Sequence, residues 1–259
     1  MPFTLAHPAA VLPLRGVRYL RTVPLIIGAL VPDLHYYVPW MFARFMSDTH
    51  SFVGSVTTDL LDGYLILFVV YLLRRPLTAL LSARARWLCL AALAPFSRDR
   101  REWLFAPLAI LAGVWTHLLW DELTHSDGWF VRRIAALSAP LTLGGYSGTV
   151  YHLLQYLSSA FGLIVLAVWY LRLRTPPAVR AGRGAARSSA LPVLLLIIAA
   201  ATLIGAVLAI EYFGRTHNVY RTLNVLLTHA IAWFAVLYLI AGTILNLEHA
   251  PERVSDLRR

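Results

Sequence analysis

The chain has 259 residues, of which 59% are hydrophobic and 14% charged, with a mean hydropathy of +0.65. That balance excludes an ordinary soluble domain and points to an integral membrane protein. All 23 basic residues are arginine and the formal net charge is +10; because they flank apolar segments instead of forming one patch among aromatics, nucleic acid is excluded as a partner and the lipid bilayer is expected.

The chain opens with two short apolar stretches, residues 7–14 and 23–31, with Arg15, Arg18 and Arg21 between them. A bilayer crossing takes about 20 apolar residues, so neither spans alone. A helical hairpin partly buried against the bundle is expected, and a single long span kinked near Pro24 and Pro32 is the rival. No basic region precedes a clean apolar run with an A-x-A site, so the first span and not a cleavable signal is expected to direct insertion. Five full spans follow, over residues 52–73, 104–120, 150–171, 191–210 and 225–247. Residues 87–94 are expected in the interface.

The loop after the first full span holds Arg74, Arg75, Arg84, Arg86, Arg98, Arg100 and Arg101, and the loop after the third holds Arg172, Arg174, Arg180, Arg183 and Arg187. By the positive-inside rule both are cytoplasmic, which places the C-terminal tail there too and the starts of spans one and three at the outer face. An integral membrane location with the C-terminus cytoplasmic is expected. The organisation expected is a front part over residues 1–174, a Pro/Gly/Arg-rich cytoplasmic linker over 175–189, a two-helix rear part of the same bundle over 190–247, and a cytoplasmic tail over 248–259. The fold class is therefore all-α, a polytopic membrane helix bundle. The lone Cys89 excludes an internal disulfide and a multi-cysteine metal site.

The segment HLLWDELTH places His117, Asp121 and His125 four residues apart at the end of the second full span. On a helix, neighbours at that spacing share a face roughly 6 Å apart along the axis, and the outer two stand about 12 Å apart. One ion cannot take all three on a straight helix, so either the helix bends or there are two ions. Other polar groups gather with this stripe from separate segments. His7 sits in TLAHPA, Asp33 in VPDLHYY, and His50 just before the first full span. His152 starts the third span, and Asp59 lies inside the first, where a carboxylate costs on the order of 2.5–3.5 kcal/mol near the bilayer centre. Imidazole and carboxylate without thiolate suit zinc, iron or manganese, with zinc the first choice. Such a divalent metal activates water for hydrolysis. Asp59 and Glu122 are the candidate proton acceptors, although Glu122 points about 100° from Asp121 on an ideal helix. Asp62 and His229 are read as structural, His35 as interfacial, His217 and His249 as solvated, Arg132 and Arg133 as meeting lipid phosphate, and the tryptophans as interfacial belts.

The opening MPFTLAHPAAVLPL, then GALVPDLHY, THSFVG and THLLWDELTH, resemble an uncharacterised family of bacterial integral-membrane proteins, a domain of unknown function with an MPFTxxHPA start. That family in turn resembles the predicted membrane-bound metal-dependent hydrolases. The resemblance covers about residues 1–170. The order of ligands is also similar to that of the zinc-dependent phospholipase C and nuclease fold. It implies His7, Asp33, His50, His117 and Asp121 as metal ligands, with His125 and His152 as looser matches. Where the soluble enzymes carry a glutamate ligand four residues after the last histidine, this chain has Tyr156.

The expected function is a membrane-embedded metal-dependent hydrolase of a lipid or amphipathic (phospho)ester. A metal-free isomerase or cyclase using carboxylic acids on a lipophilic substrate is the alternative, and a transporter or ion-binding protein is third.

Overall fold

The structure, a computed structural model, describes residues 4–34, 49–176 and 187–248. His35, His249, residues 177–186 of the linker, and the tail from residue 249 lie outside the described residues. In chain order, 3-10 turns at Thr4–Ala9 and Leu12–Gly16 lead to α1 (Thr22–Leu30) and a 3-10 turn at Val31–Asp33. Helix α2 (Phe52–Leu72) contains a π-helical turn at Ser55–Asp59. Then come α3 (Arg74–Ala79), α4 (Ala83–Arg98), α5 (Arg101–Thr124), α6 (Trp129–Arg133), α7 (Ala135–Ser138), β1 (Pro140–Leu143), β2 (Tyr146–Thr149), α8 (Val150–Arg172), α9 (Arg187–Thr216) and α10 (Val219–Glu248).

Among the described residues, five helices are long and apolar enough to cross a membrane: Phe52–Leu72, Arg101–Arg133, Val150–Arg172, Ala190–Thr216 and Arg221–Leu247. The chain is an all-α integral membrane protein whose spans match the apolar runs of its sequence. Leucine, phenylalanine and tryptophan side chains on these helices point outward, as a lipid solvent allows.

The N-terminal hairpin forms, but its first arm is not the α-helix that its apolar run suggests. Pro8 lies inside the first 3-10 turn and Pro13 at the start of the second; proline lacks the N–H that an α-helix needs, so the arm is two tight turns. Pro24 falls in the first turn of α1, where that N–H is not needed, and the helix continues through it. The chain reverses around Tyr19, whose φ is 72°, which makes the two arms a hairpin and not one kinked span. The GGYSG turn belongs to an antiparallel β1–β2 ribbon in which Leu143 faces Tyr146 and Gly144 has φ 57°.

The described chain divides into two compact units: 4–34, 49–68 and 98–173 in the first, and 69–97, 174–176 and 187–248 in the second. In the first, α1 crosses α5 so closely that a Cβ on Gly28 would collide with the Ile110 carbonyl, and one on Gly113 with the Leu25 carbonyl. Val11, Leu25, Ala29 and Ala109 form the core at this crossing. Helix α8 closes on the first 3-10 turn, with Gly162 against Ala6, and Trp120 donates to the Ser158 hydroxyl at 3.0 Å. In the second unit α9 packs on α10 through Gly205, α10 meets α3 where Gly242 abuts the Pro76 carbonyl, and Tyr238 donates to the Leu77 carbonyl at 3.1 Å.

Candidate metal centre

The crossing of α1 and α5 brings the polar groups of the first unit together. With no side chain on Gly28 or Gly113 to hold the helices apart, the Ala29 carbonyl comes within 2.9 Å of His117 Nδ1. A carbonyl can only accept, so Nδ1 carries the proton and Nε2 keeps a free lone pair. One helical turn on, Asp121 lies on the same face. The 3-10 turn after α1 delivers Asp33, whose Oδ2 accepts from the Thr4 hydroxyl at 2.6 Å. His50 sits just ahead of α2, which is capped by the Ser51 hydroxyl accepting from the Gly54 N–H at 2.9 Å. His7, on the first 3-10 turn, stacks on His117 with ring centroids 3.8 Å apart.

Asp33, His50, His117 and Asp121 each offer one ligand atom, and all four atoms lie within 4.8 Å of one another. His50 Nε2 is 3.4 Å from Asp33 Oδ1 and 3.7 Å from Asp121 Oδ2; His117 Nε2 is 3.7 Å and 3.2 Å from the same two oxygens. For metal bonds of about 2.0–2.1 Å, the edge of a coordination tetrahedron is about 3.3–3.4 Å. Those four separations, 3.2–3.7 Å, lie near that edge, and the full set stays within 4.8 Å. The other oxygen of Asp121 faces a different pair: Oδ1 is 3.7 Å from His7 Nε2 and 3.4 Å from His125 Nδ1. The α5 helix ends at Thr124, so His125 leaves the helical path and its ring turns back towards Asp121. His125 thus faces Asp121 but stands apart from the four clustered ligand atoms.

His7 and His117 are 1% and 0% exposed, and Asp33 is 2% exposed. Both ring nitrogens of His7, Nε2 of His117 and Oδ1 of Asp121 are buried without a hydrogen-bond partner. Each such group costs about 1–3 kcal/mol when buried without a partner, and among the described residues these have none. The Asp121 oxygen, His117 Nε2 and the unprotonated nitrogen of His7 each present a lone pair that a cation could accept. Burial, then the neighbouring His117, lowers the His7 imidazole to about 4, against Asp121 and Asp33, which raise it. The ring is therefore neutral near pH 7. Burial would raise the Asp33 carboxyl, but His50, His117 and the Thr4 hydroxyl together hold it down at about 2, ionised as a ligand must be.

Asp59 is fully buried on the π-helical turn, and among the described residues both of its oxygens lack hydrogen-bond partners. π-turns concentrate at functional sites, where the extra residue re-aims a side chain. Trp115 ties this turn to α5 by donating to the Ser55 hydroxyl at 3.1 Å.

Two expected residues stand elsewhere. The Glu122 carboxylate accepts the backbone N–H of Trp129, closing the turn after α5, as its rotation away from Asp121 on the helix dictates. His152 stands among Tyr146, Tyr151 and Tyr156, with the Tyr156 ring centroid 4.9 Å away, and belongs to neither group of ligand atoms. Sequence reasoning missed Thr4, the Ala29 carbonyl and the two contact glycines. Only Thr4 left a signal, as a hydroxyl three residues before His7.

No curated protein and no solved structure matches this chain. Residues 1–246 match the family described as "Domain of unknown function (DUF4184)", and the chain belongs to that family.

Proposed function

We propose that this protein is a membrane-embedded metal-dependent hydrolase acting on a lipid or other amphipathic ester, with phosphodiesters and phosphomonoesters the first substrate class. What supports this is the convergence of Asp33, His50, His117 and Asp121 with ligand spacing, beside buried lone pairs that have no other partner. These four residues would hold the principal ion, zinc first. His7 would hold a second through Asp121 Oδ1, with the His125 ring kept beside it by its Nδ1 on the Asp121 backbone carbonyl at 3.2 Å. A divalent ion held this way lowers the pKa of bound water towards ~7 and polarises a phosphoryl or carbonyl oxygen.

The chain's own residues supply the rest. Thr4 and the Ala29 carbonyl fix the orientation of Asp33 and His117, as outer hydrogen bonds do for metal ligands. His50, with 34% of its side chain exposed, forms the open edge. Beside it Phe52 and Trp115 stack at 6.2 Å and are both exposed, a surface suited to the apolar part of an amphipathic substrate. Asp59 is the carboxylate we assign as proton acceptor, since Glu122 is committed to Trp129. The arginine-rich segments that follow α2 and α8 are assigned to the cytoplasm. That sets the centre at the outer face of a bacterial inner membrane and the C-terminus inside.

The test is hydrolysis of short-chain phosphodiester and phosphomonoester lipid analogues by purified protein supplemented with zinc. Turnover is expected in wild type, and its loss in Asp121→Ala and in chelator. Turnover that survives both would instead favour acid chemistry by buried carboxylic acids and would overturn the proposal.

A further inference from the structure

About 30 Å along α5 from Asp121, at the rise of a helix over the 20 residues back to Arg101, the first unit contains a second feature that the metal chemistry does not use. It is a cavity of about 450 Å³ lined by the reversal of the N-terminal hairpin, residues 15–22, and by residues at the start of α5, including Asp99, Arg101, Glu102 and Phe105. That size suits a small-molecule or headgroup site.

Four arginines and two carboxylates line it, and the carboxylates are already engaged. Glu102 receives both prongs of the Arg21 guanidinium, Nε at 2.7 Å and an Nη on the other oxygen. Asp99 Oδ1 accepts the backbone N–H of Arg101, the first residue of α5, at 2.9 Å. Arg15, Arg18 and Arg101 are left with no carboxylate partner among the described residues. Two of them are held by aromatic faces: Arg18 lies over the Tyr19 ring at 5.0 Å and Arg15 over Trp169 at 5.9 Å. Tyr19 itself adopts φ 72°, a left-handed backbone that a tyrosine rarely takes, and its ring stacks on Phe105 at 4.2 Å. The reversal is thus pinned in one shape with guanidinium groups around a cavity. Next to it Val17, Leu104 and Leu108 are exposed and apolar.

We propose that this cavity binds a phosphate-bearing anion, with the guanidinium forks of Arg18 and Arg101 on the phosphate oxygens and Arg15 supplying further positive charge. Planar, bidentate donors on an always-charged group are what phosphate recognition uses. The same chemistry is offered by an anionic lipid headgroup, whose chains would run along the exposed leucines of α5, and by free inorganic phosphate.

The test titrates full-length protein in neutral detergent, at constant ionic strength, with short-chain phosphatidylglycerol, with phosphatidylcholine and with inorganic phosphate. Binding is read by tryptophan fluorescence, to which Trp169 reports, and by melting temperature. Saturable binding of phosphatidylglycerol but not phosphatidylcholine identifies a lipid headgroup; saturation by inorganic phosphate alone identifies the free anion, and either supports the site. Affinity should fall at least tenfold in Arg18→Gln/Arg101→Gln and stay within twofold in Arg172→Gln/Arg174→Gln, which loses equal charge outside the cavity. Asp121→Ala should bind as wild type does. Absence of saturable binding in wild type overturns the proposal whether or not the variants fold. So does an equal loss in the control pair, and so does loss in Asp121→Ala, which would assign the phosphate to the metal centre.

Discussion

Asp121 presents its two oxygens to different histidines, Oδ2 to His50 and His117 and Oδ1 to His7 and His125, and that division predicts how single substitutions separate. His117→Ala should remove the principal ion and all turnover, whereas His7→Ala should lower the bound metal by about one equivalent and leave the other ion in place. Elemental analysis of the two variants checks this; equal metal loss in both would sink the two-ion division. The acid behaviour of metal-stripped protein follows from the same residues. In the fold the His7 imidazole is held at about 4, below its ordinary value of 6.5, so between those values the unfolded chain binds the extra proton. Asp33, held at about 2 against an ordinary 3.8, behaves alike at lower pH. Both contributions are complete above about pH 6.5 and decay as pH falls, first through His7 and then through Asp33. Stripped protein should therefore melt lower at pH 5 than at pH 7, and His7→Gln should flatten that dependence. An unchanged slope in His7→Gln would show that His7 is not the titrating group.

At the scale of elements, the α1–α5 crossing decides whether the ligands meet. Gly113→Ala forces a methyl into the Leu25 carbonyl, moves Ala29 away from His117, and should weaken metal binding by about 10–100-fold, as loss of an outer hydrogen bond to a ligand does. A competition titration against a chelator of known affinity measures it, and wild-type affinity would show that the crossing does not position His117. Ser51→Ala removes the cap of α2 beside His50 and should lower stability by about 1 kcal/mol. The spans were legible because run length alone identifies a crossing, and the His117/Asp121 pair because a four-residue step fixes a face. The 3-10 arm was legible only in its prolines, which an apolar count ignores. The folding back of His125 depends on where α5 ends, and the displacement of His152 on a β-ribbon whose sequence read only as a turn. The glycine contacts are invisible before two helices are known to cross.

For the whole molecule, five crossings and two arginine-rich connections make the proposed topology testable at one residue. Cys89 is the single cysteine, exposed on α4 in the connection assigned to the cytoplasm. A membrane-impermeant maleimide should label it in inside-out vesicles and not in intact cells; labelling of intact cells would invert the topology and move the metal centre inward. The central claim, proposed above, is that the N-terminal hairpin, the start of α2 and the end of α5 together form a metal centre. The most direct measurement is elemental analysis of detergent-purified wild type beside identically prepared His117→Ala and Asp121→Ala. Near-stoichiometric zinc, iron or manganese in wild type, lost in both variants, is the expected result. Wild-type protein that holds no metal even after supplementation would contradict it.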